Sequence, residues 1–299
     1  VIDILVTGGA GQVGLELQRL AWPEGVRLHA PDRATFDLTD PGSVAALFAS
    51  RSFAAVINPA AYTAVDKAQG EVAAAFLVNA QGPALLAEAS ARAGIPLVQV
   101  STDYVFDGTK ADPYVETDPV GPLGVYGASK LAGELAVRSG NPRSVVLRTA
   151  WVVSARRANF LKTMLRLAAE RPALRVVDDQ RGCPTSAADI ARALETITLR
   201  LIEDRDAPTG LYHFVNAGEA SWCGLARAVL ARSAARGGPH VPVEAIATAD
   251  YPTPARRPAN SRLATAKIRR DFAITPRPWQ DAIHDIVDEL VPATPLPGA

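Results

Sequence analysis

The sequence predicts an α/β fold, a doubly wound parallel sheet followed by a smaller C-terminal domain. Two observations carry it. Short apolar runs alternate with helical patterns up to about residue 150, and that rhythm then loosens where prolines gather, at 172, 184, 208, 239, 242, 252, 254, 258, 276 and 278. The chain has 299 residues, 48% of them hydrophobic, which is enough for a large core and more than one domain usually needs. We therefore expect a first domain over residues 1–150 and a second over 151–299, some of whose segments return to the first sheet.

The elements follow in order. Residues 2–7 form an apolar run that ends in Gly8-Gly9-Ala10-Gly11, and from 13 to 22 the apolar positions fall at helical spacing. This reads as strand, tight turn, helix. Strands are expected next at 26–30, 54–58, 96–101 and 144–149, with helices at 41–50, 71–93 and 123–139 between them. In the second half, helical patterns cover 159–170, 187–201, 221–233 and 279–290, and the apolar segments 174–177 and 211–215 are expected to rejoin the first sheet. Residues 292–299 hold three prolines and little to bury, so a frayed tail is expected there.

Composition narrows the function. The 31 basic and 31 acidic residues cancel and no Lys/Arg run stands out, so nucleic acid is not expected as a partner. Apolar stretches are cut by charges, Pro or Gly before 18 residues, which argues against a membrane span. Cys183 and Cys223 have neither a disulfide-framework nor a zinc-type spacing, so a reducing, cytoplasmic setting and no structural metal are expected. The opening residues already look like a buried strand, so a secretory signal is not expected within them.

The turn Gly8-Gly9-Ala10-Gly11-Gln12-Val13-Gly14 spaces glycines as G-x-x-G-x-x-G between the first strand and the first helix. Gly8 and Gly11 allow a sharp turn that approaches a pyrophosphate, the helix N-terminus favours its charge, and Gly14 permits close helix-to-strand packing. A Rossmann-type dinucleotide site is the expectation. Near the end of the second strand stand Asp32 and Arg33, with Asp37 and Leu38 beyond. A carboxylate suits a free ribose 2′-hydroxyl and Arg33 suits a 2′-phosphate, so the pair is compatible with either NAD or NADP. Tyr126 and Lys130 lie four apart where a helix begins, close enough for an ammonium to favour the phenolate. Thr102 follows the fourth strand, at the carboxyl end where a parallel sheet places its ligand crevice. A hydroxyl, a phenol and an ammonium around one nicotinamide make a carbonyl-reducing site.

On these motifs the chain resembles the extended short-chain dehydrogenase/reductases and, more narrowly, the dTDP-4-dehydrorhamnose reductases. The narrower likeness rests on Gly11-Gln12-Val13-Gly14, the run Asn58-Pro59-Ala60-Ala61-Tyr62-Thr63-Ala64-Val65-Asp66-Lys67-Ala68, Ser101 through Gly108, and Pro122-Leu123-Gly124-Val125-Tyr126-Gly127 with Ser129-Lys130-Leu131-Ala132-Gly133-Glu134. It continues through Arg148-Thr149-Ala150-Trp151, Asn159-Phe160, Asp179-Gln180, Gly182, Pro184-Thr185, Arg257-Pro258 and Asn260-Ser261.

The resemblance implies a C-terminal substrate-binding domain and reduction of the C4 keto group of dTDP-4-dehydro-L-rhamnose by NADPH, with NADH as an alternative donor. Thr102 would polarise the carbonyl, Tyr126 would deliver the proton and Lys130 would hold the nicotinamide ribose. Ala60, Ala61 and Tyr62 would line the cofactor channel, while Val65, Val105, Trp151, Asn159 and Phe160 would face the sugar nucleotide. Some similar proteins bind Mg²⁺ between two subunits through three glutamates. Here Glu16 and Glu289 stand at two of those places and Ala188, next to Asp189, at the third, so no metal is expected and the assembly is expected to be a monomer or weak homodimer. Two other classes compete: a nucleotide-sugar 4-epimerase that retains NAD, and a non-catalytic subunit similar to the regulatory β subunit of methionine adenosyltransferase.

Overall fold

The computed structural model describes residues 1–292. Strand β1 (Ile2–Val6) leads through the glycine-rich turn into α1 (Gln12–Arg19), then come β2 (Val26–His29), α2 (Pro41–Ser50), β3 (Ala55–Asn58), α3 (Val65–Ala68), α4 (Val72–Phe76), α5 (Gly82–Arg92) and β4 (Leu97–Thr102). Helix α6 (Val125–Gly140), β5 (Ser144–Thr149) and β6 (Val152–Val153) complete the first half. The second half contains α7 (Phe160–Glu170), β7 (Leu174–Val177), β8 (Arg181–Gly182), β9 (Thr185–Ser186), α8 (Ala187–Glu203), β10 (Gly210–His213), β11 (Ala220–Ser221), α9 (Trp222–Ala235), β12 (Val243–Ile246), α10 (Ala266–Phe272) and α11 (Trp279–Leu290).

Six strands pair in parallel in the order β10-β5-β4-β3-β1-β2, so the direction of winding reverses between β1 and β3. At such a reversal the loops leaving the two strands diverge and open a crevice outside their carboxyl ends. Strands β3, β4 and β5 are buried at every residue, as strands covered on both faces must be. One face carries α2, α5 and α6 through Val44, Leu86, Ala87 and Val137. The other carries α1, α8 and α10 through Leu17, Ile190, Leu194 and Ile268. A separate core around Leu161, Val229, Leu230 and Ile283 joins α7, α9 and α11 into a second lobe beyond the sheet.

Two elements differ from expectation. Residues 174–177 do form a strand, but β7 pairs with β12 in a two-stranded sheet of the second lobe and not with the first sheet. Its burial alternates, with Leu174 and Val176 inward and Arg175 outward beside Glu244, whereas β4 and β5 are buried throughout. The long helix expected over 71–93 is interrupted by a wide turn at Leu77–Gln81. Pro83 cannot donate to the carbonyl of Asn79, and the wider turn absorbs its ring while the helical run continues to Arg92. The whole run Val72–Arg92 is long and apolar enough to cross a membrane, by length and composition only, despite its Gly and Pro. Here it lies against α6 and the sheet through Leu86, Ala87 and Ser90. The frayed tail expected over 292–299 lies outside the described residues apart from Pro292.

Candidate active site

A cleft of about 1060 Å³ runs across the carboxyl ends of β1, β3, β4 and β5 and is walled on its far side by the second lobe. Its floor begins at the glycine-rich turn. Gly8 has φ +60, and a Cβ on Gly14 would lie 2.3 Å from the Gly8 carbonyl oxygen, so the turn and the helix touch backbone to backbone. Helix α1 starts at Gly11 with no side-chain cap, which leaves the N–H groups of its first turn facing the cleft. This is a cradle for a diphosphate, and a dinucleotide cofactor fits it.

Below the turn, Thr7 donates to Asn58, Asn58 Nδ2 donates to Gln99 Oε1 at 2.6 Å, and Gln99 Nε2 donates to the Val100 carbonyl at 2.8 Å. This buried chain of bonds fixes the ends of β1, β3 and β4 relative to one another. Asn58 Oδ1 also accepts from the Ala60 N–H, setting the loop where Ala60 and Ala61 line the cleft.

Thr102 ends β4, Tyr126 lies in the first turn of α6 and Lys130 one turn further on; all three line the cleft. The Thr102 hydroxyl donates to Asp103 Oδ1 at 3.0 Å and accepts from the Tyr104 N–H at 3.2 Å. Burial pushes the Tyr126 phenol up to about 12, with the Thr102 hydroxyl opposing the rise. Lys130 is buried, donates to the Val100 carbonyl at 2.7 Å, and is pushed down to about 8 by desolvation, which the Glu134 carboxylate partly offsets. The sequence reading has the ammonium lower the phenol; in the structure burial of Tyr126 dominates and keeps it protonated at neutral pH. Asp103 is buried with one carboxylate oxygen unpartnered, and desolvation lifts it to about 6.

The wall formed by the second lobe is aromatic. Trp151, in a left-handed conformation at φ 48, stacks on Trp222 with ring centroids 3.6 Å apart, and Phe160 packs on Trp222 at 4.7 Å. Val65 and Asn159 line the same cleft, and Asn159 caps α7 by accepting from the Lys162 N–H. Two expected site residues are not brought in. Val105 is fully buried in the second-lobe core because the short turn Asp103–Val105 points it inward beside Phe106. Tyr62 turns away to bond Glu71 through its hydroxyl, while its backbone N–H is held by Asn79 Oδ1 at 2.8 Å.

At the opposite end of the cleft stand Asp32, Arg33, Asp37 and Leu38. Asp32 Oδ1 accepts from the Ala34 and Thr35 N–H groups and the Thr35 hydroxyl, bonds that hold its carboxyl below the usual range. Asp37 is similarly engaged by Thr39. Arg33 is exposed at the rim.

Some neighbours of the site carry no signal in the sequence reading. Trp222 comes from the start of α9, Arg157 from the loop after β6, and Asn79 from the wide turn, where its Nδ2 donates to Ser129 Oγ at 3.0 Å and ties α6 to the 60–62 loop. The residues at the positions where some similar proteins hold a bridging metal make bonds within the chain. Arg156 lies between Glu16, at 4.0 Å, and Glu289, and Asp189 is bonded by Arg192, Asn216 and Arg277.

Residues 2–291 match the family model described as RmlD substrate binding domain. The chain is 46% identical over 289 residues to a dTDP-4-dehydrorhamnose reductase of Sinorhizobium fredii, covering 96% of this chain and 97% of that one. The chain belongs to the dTDP-4-dehydrorhamnose reductase family. It is also similar to the Escherichia coli K12 protein of that name, at 39% identity over 99% of this chain and all of the other. Among solved structures, that of a dTDP-4-dehydrorhamnose reductase from Clostridium acetobutylicum superposes with a TM-score of 0.90 at 35% identity, covering 97% of this chain and 99% of that one. A Bacillus anthracis reductase of the same name, solved in complex with NADP, gives 0.89 at 32% identity, covering 96% and 99%. A Campylobacter jejuni 4-epimerase aligns at 20% identity and shows the shared fold alone.

Proposed function

We propose that the protein reduces the C4 keto group of dTDP-4-dehydro-L-rhamnose to give dTDP-L-rhamnose, with NADPH as donor and NADH as an alternative. The observation that carries the reading is the convergence of Thr102, Tyr126 and Lys130 in a cleft that also contains the uncapped glycine-rich turn. When bound, the nicotinamide supplies the hydride. The chain's own residues handle the oxygen. The Thr102 hydroxyl turns its one proton from Asp103 to the substrate carbonyl, and the Tyr126 phenol, protonated at neutral pH, delivers the proton to the oxygen as it gains charge. In this reading the Lys130 ammonium, in the same cleft, holds the nicotinamide ribose and favours loss of the phenol proton. Gly8, Gly11, Gln12, Val13 and Gly14 receive the diphosphate, with Ala60 and Ala61 along the channel and Arg33, Asp37 and Leu38 at the adenosine end. Val65, Trp151, Asn159 and Phe160 face the sugar nucleotide, joined by Trp222.

The same reading places the chain in the cytoplasm as a monomer or weak homodimer. The test is a coupled reaction that supplies freshly made keto-sugar and follows NADPH absorbance, with NADH run alongside. Cofactor consumption that requires the keto-sugar is expected. Absence of turnover, or protein that purifies with tightly held NAD, would replace the reading by the regulatory or the epimerase class.

A further inference from the structure

Segment 154–159 of the second lobe reaches back over the glycine-rich turn. Ser154 Oγ donates to Glu16 Oε1 at 3.0 Å, Asn159 Nδ2 donates to Gln12 Oε1 at 3.0 Å, and Arg157 Nε donates to the Ala10 carbonyl at 2.6 Å. These three bonds bring one loop of the second lobe onto the phosphate cradle of the first. Arg157 holds a left-handed backbone at φ 56, a conformation that costs a branched or long residue about 1 kcal/mol or more and that glycine would adopt freely. A side chain retained at that cost points to a use for its guanidinium.

The charges in the cleft suggest what that use is. Three cations line it: Arg33 at the adenosine rim, Lys130 buried at the reacting end, and Arg157 on the turn between them. Helix α1 offers N–H groups and a partial positive charge to a diphosphate, but no full charge. Among the described residues Arg157 has only its Nε engaged, which leaves both terminal nitrogens to reach an anion seated on the turn.

We propose that Arg157 is the second-lobe cation that closes on the diphosphate of the dinucleotide, so that cofactor binding fastens segment 154–159, and with it Asn159 and Phe160, in place for the sugar nucleotide. The inference rests on the dinucleotide reading above. It is tested by binding alone, in the absence of keto-sugar, with Arg157→Ala and Arg157→Gly compared against the parent protein by fluorescence titration or calorimetry. The glycine variant removes the side chain while easing the backbone, so a defect common to both belongs to the guanidinium.

Both variants are expected to weaken NADPH and NADH by the same factor, about ten- to a hundred-fold, and to weaken ADP comparably. Adenosine 2′-monophosphate, which has no diphosphate, should bind unchanged. Undiminished NADPH affinity in the variants would overturn the proposal, as would an equal loss for adenosine 2′-monophosphate, which would make Arg157 a support for the shape of the turn. Failure of the parent protein to bind NADPH would instead remove the dinucleotide reading, so the two failures are distinguishable.

Discussion

The Lys130 ammonium is the most exposed of the reacting groups to a change of pH. Its depression to about 8 comes from burial, and the charge that the proposed mechanism asks it to bring to the ribose and the phenolate is lost as pH rises through that value. The pH profile of kcat/KM for NADPH, which reports the free enzyme, should therefore fall on its alkaline side near pH 8, and Lys130→Arg should move that limb out of the measurable range. A limb unchanged by the substitution would assign it to another group. At the other end of the cleft, Arg33 is exposed and unconstrained, while Asp32 and Asp37 are tied into their own loops. Arg33→Ala should weaken NADPH about ten-fold and NADH much less, the modest size reflecting solvent screening of a rim charge. Parallel titrations of the two cofactors decide it. At this scale the sequence discloses groups whose chemistry depends on spacing along one helix or one turn, such as Tyr126 with Lys130 and the glycines. It hides Trp222 and Arg157, which reach the cleft from distant parts of the chain, and it does not disclose the direction of the Tyr62 and Val105 side chains, set by a bond to Glu71 and by the turn after Thr102.

Helix α6 is fastened to the sheet by an ion pair that water does not reach. Arg148 on β5 donates to both oxygens of Glu134, at 2.9 and 2.6 Å, Ser101 donates to the same carboxylate, and the guanidinium lies 5.0 Å from the Phe106 ring. The two side chains are 3% and 2% exposed. Removing one partner leaves the other charge buried, so Glu134→Ala should cost about 3–5 kcal/mol in denaturant unfolding, while replacing both by apolar residues should cost far less. The single substitution also removes the charge that offsets desolvation of Lys130, so in any folded fraction the alkaline limb should move to lower pH. Elements with a strong period of their own, such as α7 and α11, are legible in the sequence because propensity and pattern agree. The strand β12 and the helix α10 are not, since each is short and set among prolines. α10 holds its place by burying Ile268 and Phe272 against the sheet face.

Across the whole molecule, the strand that carries the chain back to the sheet brings a titratable group into its interior. His213 on β10 is fully buried between Phe106, the Tyr114 carbonyl and Arg148, with Glu116 on its backbone N–H and Asp118 nearby. Desolvation first, then the Arg148 charge, lower it to about 3. The unfolded chain takes up a proton at the ordinary histidine pKa of about 6.5 while the folded chain does not, so between roughly pH 6.5 and 3 stability falls as pH falls. Unfolding midpoints measured across that window should decline, and His213→Gln should flatten the decline even if it lowers the plateau. A slope unaffected by the substitution would mean that other groups set the acid limit. Where the strand–helix alternation loosens after about residue 150, the chain leaves the sheet for α7 and returns to it with α8, β10 and α10. The return of the chain to the sheet, expected from the apolar run 211–215, is made by β10, which pairs in parallel with β5 at the sheet edge.

The stacked indoles of Trp151 and Trp222 also give the protein an optical handle. Rings whose centroids are 3.6 Å apart and whose planes differ by 8° are close enough for their electronic transitions to couple. Near-ultraviolet circular dichroism should therefore contain a paired signal from this one contact, and either Trp151→Phe or Trp222→Phe should abolish it. One of the two indoles is contributed from just after the central sheet and the other from the start of α9, so the signal depends on how closely those parts of the chain sit. The same pair borders the cleft proposed for the nicotinamide, whose reduced form absorbs where tryptophan emits. Arrival of the reduced cofactor should dim the indole emission, and its oxidation should restore it, so that a catalytic cycle could be followed through the light the protein itself gives off.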